Sequence, residues 1–215
     1  MESSDDSRSN LVLFSGGTER GTAPSSSTAY RSFQQDGELI RVILEVHDGG
    51  RKNNVLHVTE VMVRPASSGP EWIEISNPNH FAVALKGWSL NHTSGSTSTN
   101  LLMQSGVLSG QSLSLLTGDP SSQVVGNATH VVDLGSKGFL GVGQLDGLDN
   151  SQGVLSLRYT QLDETTPSDV ARIQWGGGTK LFLITGESLV WDGSDRFDPS
   201  AWAIQDDPTP GDYDG

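Results

Sequence analysis

The sequence predicts an all-β protein, a sandwich of two sheets that follows an irregular N-terminal leader. From residue 55 onward, short apolar runs recur between Gly, Asn, Pro and Ser residues, near the spacing of about eight to twelve residues found in sandwiches. Polar and apolar positions mix along runs such as 58–63 and 72–76, as on a half-buried sheet. No window keeps the apolar spacing of a helix beyond about two turns, and the best such segment is 27–35.

The leader is predicted to cover residues 1–54, to be partly disordered and to hold one or two strands. Its apolar runs are 10–14 (NLVLF) and 38–46 (ELIRVILEV), and 22–28 (TAPSSST) has the small polar composition of a linker. A basic, polar linker at 51–54 precedes the point at which the short apolar runs begin to recur. The sandwich is therefore expected to span residues 55–215.

Ten strands are predicted within the sandwich from the apolar runs and their alternation. They cover residues 56–63, 71–76, 84–90, 101–104, 112–117, 130–134, 154–159, 171–175, 180–184 and 188–191. Because an apolar sheet face has to be buried against another layer, two packed sheets are the economical arrangement for these strands.

Composition excludes several classes of function. The 215 residues include 13 Lys and Arg and 26 Asp and Glu, a formal net charge of −13. Such a charge opposes binding to nucleic acid and to anionic membrane surfaces. No apolar run approaches the length of about 18 residues needed to span a bilayer, and the acidic start MESSDDSRSN is unlike a signal peptide. The absence of Cys removes disulfides and thiolate zinc sites.

No catalytic pattern stands out, so we expect the chain not to be an enzyme. The five His residues lack the HExxH spacing of a metal centre. The sequence contains no GxSxG nucleophile motif. An enzyme, the least favoured alternative, would need a polar pocket that these patterns do not indicate.

Two features of the C-terminal quarter suggest ligands. Aspartates spaced by three beside a Gly offer the oxygen ligands that calcium prefers, although a solvated acidic loop has the same pattern; they are Asp192, Asp195 and Asp198. Indoles can stack on sugar rings or anchor a protein interface, or they can fill the core; the candidates are Trp175, Trp191 and Trp202. Together they define an alternative function, a calcium-stabilised carbohydrate-binding module.

Four blocks, in this order, resemble the lamin-tail domain of the prokaryotic type. They are 57–65 (HVTEVMVRP), 70–78 (PEWIEISNP), 84–90 (ALKGWSL), and an ending formed by 186–189 (GESL), Trp202 and 208–211 (PTPG). The resemblance implies an immunoglobulin-like β-sandwich that acts as a non-enzymatic binding or scaffold module. It also implies a protein or a cell-surface glycan as partner, and an extracellular or cell-surface location if the chain is part of a longer protein. Ala84 departs from the family pattern, in which an Asp is common.

The motif residues that the resemblance points to are expected to act structurally. They are Glu60, Pro65, Glu71, Trp72, Glu74, Asn77, Pro78, Gly87, Trp88, Pro210 and Gly211. Pro78 should close a strand, since proline cannot donate to a ladder, and Gly87 should let the chain bend so that Trp88 turns inward. At least one of Glu71 and Glu74 should be a solvated edge charge. Recognition is expected on the loops 91–100 and 135–153, since rigid sheets present their loops to partners.

Overall fold

The structure is a computed structural model of the chain. It describes residues 27–35, 38–46, 56–66, 68–80, 82–103, 106–122, 125–142, 147–160, 165–179 and 181–212. The chain separates into two units between Asn53 and Asn54.

The described residues of the first unit form one antiparallel pair of strands. Strand β1 (Ser27–Gln35) pairs with β2 (Glu38–Val46) along its whole length. The helical apolar spacing of 27–35 is therefore misleading, because this segment is a strand, whereas the run 38–46 is a strand as predicted. The other apolar run, 10–14, lies outside the described residues.

The described residues of the second unit form twelve strands and one 3₁₀ turn at Pro199–Ala201. In chain order the strands are β3 (His57–Met62), β4 (Trp72–Asn77), β5 (Val83–Ala84), β6 (Trp88–Ser94), β7 (Thr97–Leu102), β8 (Val107–Leu108), β9 (Ser112–Thr117), β10 (His130–Asp133), β11 (Gly153–Tyr159), β12 (Ser168–Trp175), β13 (Ser188–Trp191) and β14 (Trp202–Gln205).

These strands form two main sheets that enclose one core. The larger has the order β10-β9-β4-β3-β13-β14, and the smaller has the order β12-β11-β6-β7. Val61 and Ile73 from the larger sheet and Leu90 and Leu155 from the smaller one are fully buried in the same apolar cluster. The predicted all-β sandwich is confirmed. A short pair, β5 and β8, lies outside both sheets.

Several predicted strand boundaries need correction. The segments 112–117 and 188–191 are strands with the predicted bounds. The predicted recognition loop 91–100 is instead part of the β6–β7 hairpin, in which Ser94 pairs with Thr97. The predicted strand 180–184 is irregular over its described residues, although Leu181 and Leu183 are buried and Phe182 and Ile184 are exposed. The hairpin was missed because its residues are mostly polar. The strand at 180–184 was predicted because its apolar residues alternate between buried and exposed positions as they do in a strand.

Two predicted turns are present. Strand β4 ends at Asn77, directly before Pro78, and the buried Asn77 amide donates to the carbonyl of Ser109 at 2.8 Å. Gly87 has a φ of +92°, in the left-handed region that favours glycine. The next residue, Trp88, is only 2% exposed and lies in the main core.

Candidate functional site

Three glutamates are buried on the larger sheet and beside it, which is unusual for a charged residue. Glu60 is 2% exposed, and Glu71 and Glu74 are fully buried. The prediction that Glu71 or Glu74 is a solvated edge charge is therefore wrong. Each carboxylate instead receives hydrogen bonds from groups that the tertiary structure brings to it.

Glu60 and Glu74 lie opposite each other on β3 and β4, on the side of the larger sheet that faces away from the core. Glu74 accepts hydrogen bonds from the Thr59 hydroxyl and, at 2.6 Å, from the Gly211 backbone N–H. The two carboxylates form one buried pair, which we call the glutamate pair.

Glu60 contacts the same C-terminal segment. Its Oε1 accepts from the Ser188 hydroxyl at 2.5 Å and from the Thr209 N–H at 3.1 Å, and its Oε2 accepts from the Thr209 hydroxyl at 3.1 Å. Residues 209–212, which we call the strap, therefore lie across the glutamate pair. They supply three of the five hydrogen-bond donors that reach the pair from the described residues.

Burial raises the pKa of Glu60 above its ordinary value, although the hydrogen bonds from Ser188 and Thr209 oppose the rise. Burial also raises the pKa of Glu74, and the negative charges of Glu60 and Asp212 add to that rise. Desolvation and like charges both disfavour an ionised carboxylate. The glutamate pair therefore binds a proton at a higher pH than solvated glutamates do.

The strap also contacts the loop 125–129, which leads into β10. Asn127 donates its backbone N–H to the Gly211 carbonyl at 3.0 Å and its side-chain amide to Asp212 Oδ1 at 2.5 Å. Gly211 has a φ of +85°, and a Cβ there would lie 2.1 Å from the Val125 carbonyl oxygen. Only glycine fits this close approach.

Glu71 holds a different segment. It accepts from the Gly141 N–H at 2.7 Å and from the Leu148 N–H at 3.0 and 3.1 Å. A Cβ on Gly147 would lie 1.9 Å from Glu71 Oε2. Glu71 is therefore the anchor for the two described ends of the connection between β10 and β11.

The remaining motif residues either pack in an apolar cluster or lie outside the strands. Trp72 is 3% exposed and packs with Met62 and Leu115 in a second, smaller apolar cluster, beside Val125 and Ala128. Pro65 is buried, Pro78 is exposed, and Pro210 is half-buried.

All three candidate binding indoles are buried. Trp175 is 1% exposed, Trp191 6% and Trp202 4%. Trp175 stacks on His92 with ring centroids 5.7 Å apart, and its Nε1 donates to the Asp149 carbonyl at 2.8 Å. The predicted sugar or partner contact needs an exposed ring face, so the structure favours the alternative in which these rings fill the core.

The three candidate calcium ligands each close a turn of their own. Each accepts the backbone N–H two residues ahead at 2.8 to 2.9 Å, with the pairs Asp192–Ser194, Asp195–Phe197 and Asp198–Ser200. Across the ranges described above, no three His, Asp or Glu side chains are grouped so that they could hold a metal ion. The calcium prediction gains no support from this geometry.

His57 provides a titratable group at the start of β3. Its ring meets the Trp191 ring edge-on at 4.8 Å. Burial, together with the positive charge of Arg196, lowers the pKa of His57 to about 4. The folded protein therefore keeps this imidazole neutral well below neutral pH.

We expect His57 to make the protein sensitive to acid. As the pH falls below about 6.5, unfolded His57 binds a proton before folded His57 does, so stability is lost between pH 6.5 and 4. The two pKa values correspond to a loss of up to about 3 kcal/mol. Urea unfolding at pH 7 and pH 4.5 should show that His57→Phe loses less stability on acidification than the wild type.

Exposed His80 provides the control for this experiment. His80→Phe should keep the full acid sensitivity, and the titration of the glutamate pair is common to all three proteins. Equal acid sensitivity of His57→Phe and the wild type would contradict the role of His57.

A long groove opens between the free edges of the two sheets. We call it the edge groove; it lies between β7 and β10, and its volume is about 910 Å³. Four of the eight large apolar side chains that are exposed in the described part of the chain line it: Leu102 (51%), Val107 (58%), Val131 (39%) and Val132 (37%). The floor is formed by core residues, among them Leu108, Leu116 and Leu134. Sequence reasoning missed this site.

Both walls of the edge groove are edge strands. Within the part of the chain that the structure describes, strand β7 pairs only with β6, and β10 pairs only with β9, in parallel. Native edges are often protected by charge, proline or a short length, yet the six residues of β7 (TSTNLL) include no charge and no proline. Strand β7 is thus able to pair with a further strand.

Fold and site together define an all-β sandwich with a buried carboxylate pair on one face and an apolar groove at one edge. No protein-family model matches the chain, and no curated protein matches it either. Among the described residues, no helix is long and apolar enough to cross a membrane.

Proposed function

We propose that this chain is a non-enzymatic binding or scaffold module of the lamin-tail type, and that it binds an extended segment of a partner protein in the edge groove. The observation that carries the proposal is the gathering of four exposed aliphatic side chains between two free strand edges. An exposed apolar patch beside a free edge suits strand addition, in which backbone hydrogen bonds provide affinity and alternate side chains provide specificity.

The charge of the protein selects the chemistry of the partner. Residues 54–215 contain 7 Lys and Arg and 18 Asp and Glu, a formal net charge of 7 − 18 = −11. A basic segment is attracted to a protein of this net charge, whereas a second copy of the chain, with its own charge of −13, is repelled. The partner segment should therefore carry aliphatic residues at alternate positions with Lys or Arg between them.

The position of the motif residues supports the lamin-tail assignment. Glu60 belongs to the first block that resembles the family, Glu74 to the second, and Gly211 to the last. Hydrogen bonds join all three blocks in the glutamate pair and its strap. An extracellular or cell-surface location is part of the same proposal and rests on the resemblance.

The test uses a fluorescent synthetic peptide of about eight residues with Val and Lys alternating, long enough to pair with all of β7. We expect the peptide to bind the full chain, and Leu102→Asp to weaken binding about tenfold or more, equivalent to about 1.4 kcal/mol. The matched control is Phe182→Asp, since Phe182 is also exposed (63%), lies outside the groove lining and undergoes the same change of charge.

Three results would overturn the proposal. Binding that Leu102→Asp and Phe182→Asp strengthen equally would show attraction by charge alone, because each substitution adds a negative charge that attracts the lysines of the peptide. Equal affinity for a peptide with prolines at the Val positions would exclude strand addition, because proline cannot donate to a ladder. Dimers in sedimentation experiments that Leu102→Asp abolishes would identify a second copy as the occupant.

A further inference from the structure

The strap and the edge groove share one structural connection. The strap holds the loop 125–129 through Asn127, and β10 begins at the next residue, His130. Thr129, at the end of that loop, lines the groove together with Val131 and Val132. The strap is therefore hydrogen-bonded to the loop that leads into one wall of the groove.

The strap closes over an acidic site. Among the described residues, the charged groups that interact with the glutamate pair are Glu60 and Glu74 themselves and, from the strap, Asp212. The residues opposite the pair on the flanking strands β9 and β13 are Leu115 and Val190, which are apolar. Among the described residues, no cation donates a hydrogen bond to either carboxylate, since all five donors are neutral. Docking thus brings a third negative charge to an unneutralised pair.

Each carboxylate has an oxygen on which a proton fits. Among the described residues, the hydrogen-bond partner of Glu74 Oε1 is the Thr59 hydroxyl, and that of Glu60 Oε2 is the Thr209 hydroxyl. A hydroxyl can donate or accept, so it can turn to accept from a protonated carboxyl. The other oxygens keep accepting the N–H groups of Thr209 and Gly211. Either carboxyl can therefore hold a proton and donate it in a hydrogen bond to a neighbouring hydroxyl; the Thr209 hydroxyl also accepts from the Gln205 amide at 3.1 Å.

We infer that the strap is a protonation-controlled latch on the edge groove: it docks firmly while the glutamate pair holds a proton, and it loosens together with the loop 125–129 and β10 when both carboxylates are ionised. The inference extends the proposed function, because the groove wall that it controls is the proposed binding site.

The direction of the effect follows from the pKa shifts. The docked, buried state has the raised pKa values, so docking is favoured at low pH and is weakened as the pH rises through them. One proton linked to docking changes its equilibrium constant by at most about tenfold for each pH unit.

The test measures amide hydrogen exchange of the full chain by NMR between pH 5 and 9, with each rate divided by the intrinsic rate at the same pH. We expect the protection of the Gly211 amide to fall by up to about tenfold for each pH unit between the ordinary carboxyl pKa of 4.5 and the raised values, and to level off above them, where the docked and the undocked pair are both ionised. The amides of β10 should lose protection over the same range, while Leu155 in the core strand β11 should not change.

Glu74→Gln mimics the protonated carboxyl and keeps an oxygen for the Gly211 N–H. It should leave Gly211 protected at high pH and remove the pH dependence of β10. Glu60→Gln provides a second variant of the same design, in which the new amide can donate to the Thr209 hydroxyl.

The last comparison uses a substitution that should displace the strap. Gly211→Ala should expose the strap and β10 at every pH, because its Cβ would meet the Val125 carbonyl at 2.1 Å. Gly186→Ala is the control, since Gly186 has a similar φ of +97° but nothing within 4 Å of its Cβ position. The control should leave the strap protected.

Two results would overturn the inference. An unchanged pH profile of Gly211 in both glutamine variants would show that the glutamate pair does not control the strap. A response of Gly211 without any response of β10 would show that the strap does not control the groove. Neither measurement uses a peptide ligand, so its outcome is independent of whether the proposed partner binds.

Discussion

Replacing Glu71 with alanine is expected to lower the free energy of unfolding by about 4 kcal/mol. The change leaves the backbone N–H groups of Gly141 and Leu148 without their buried acceptor. Each buried donor left unpaired costs about 1 to 3 kcal/mol. Removal of the side chain also opens a cavity beside Gly147, whose Cα is packed against the carboxylate.

Urea unfolding at pH 7 measures this loss, and Glu187→Ala is the matched control. Glu187 also accepts a backbone N–H, from Ile184 at 2.6 Å, but that hydrogen bond is exposed to solvent. Water replaces the lost acceptor there, so the control should cost less than about 1 kcal/mol. Similar losses for the two variants would mean that Glu71 does not organise the connection between β10 and β11.

The second large effect is expected for Trp175→Ala, with a loss of about 4 kcal/mol. Trp175 is 1% exposed, stacks on His92 and donates to the Asp149 carbonyl. Truncation of a buried aromatic side chain removes its transfer free energy and leaves a cavity, which together cost about 3 to 5 kcal/mol. The loss of the indole N–H additionally leaves the carbonyl unpaired.

Thermal or urea unfolding of Trp175→Ala and Phe182→Ala compares the loss of stability at a buried aromatic residue with the loss at an exposed one. Phe182 is 63% exposed, so its truncation should change stability by no more than about 0.5 kcal/mol. If Trp175→Ala unfolds like the wild type, the indole is not buried in the folded protein. Its predicted role in binding sugars or partners would then be supported.

Local pattern predicted much of the fold. Apolar runs bounded by turn residues located β9 and β13 to the residue, and Pro78 and Gly87 marked the end of β4 and the bend before Trp88. These features are local, because side-chain alternation and turn conformation depend on neighbouring residues. The predicted strand 101–104 found only the apolar end of β7, because the preceding residues 97–100 (TSTN) have no apolar pattern to detect.

The partners of the motif residues could not be predicted in this way. Glu74 and Gly211 are 137 positions apart, and no local signal shows that the N–H of one reaches the carboxylate of the other. Without that donor, a glutamate in a strand is expected to be solvated. The resemblance pointed to these residues without indicating that they form one buried pair and strap.

The sequence by itself determined the all-β class, most of the strand positions and an acidity that disfavours nucleic acid, because composition and alternation are properties of short segments. Only the tertiary structure decided that the C-terminal tryptophans are buried, that the glutamates receive a distant strap, and that β7 and β10 are left as free edges around an apolar groove. Burial and strand order depend on which segments meet in space, and a local pattern carries no record of those long-range contacts.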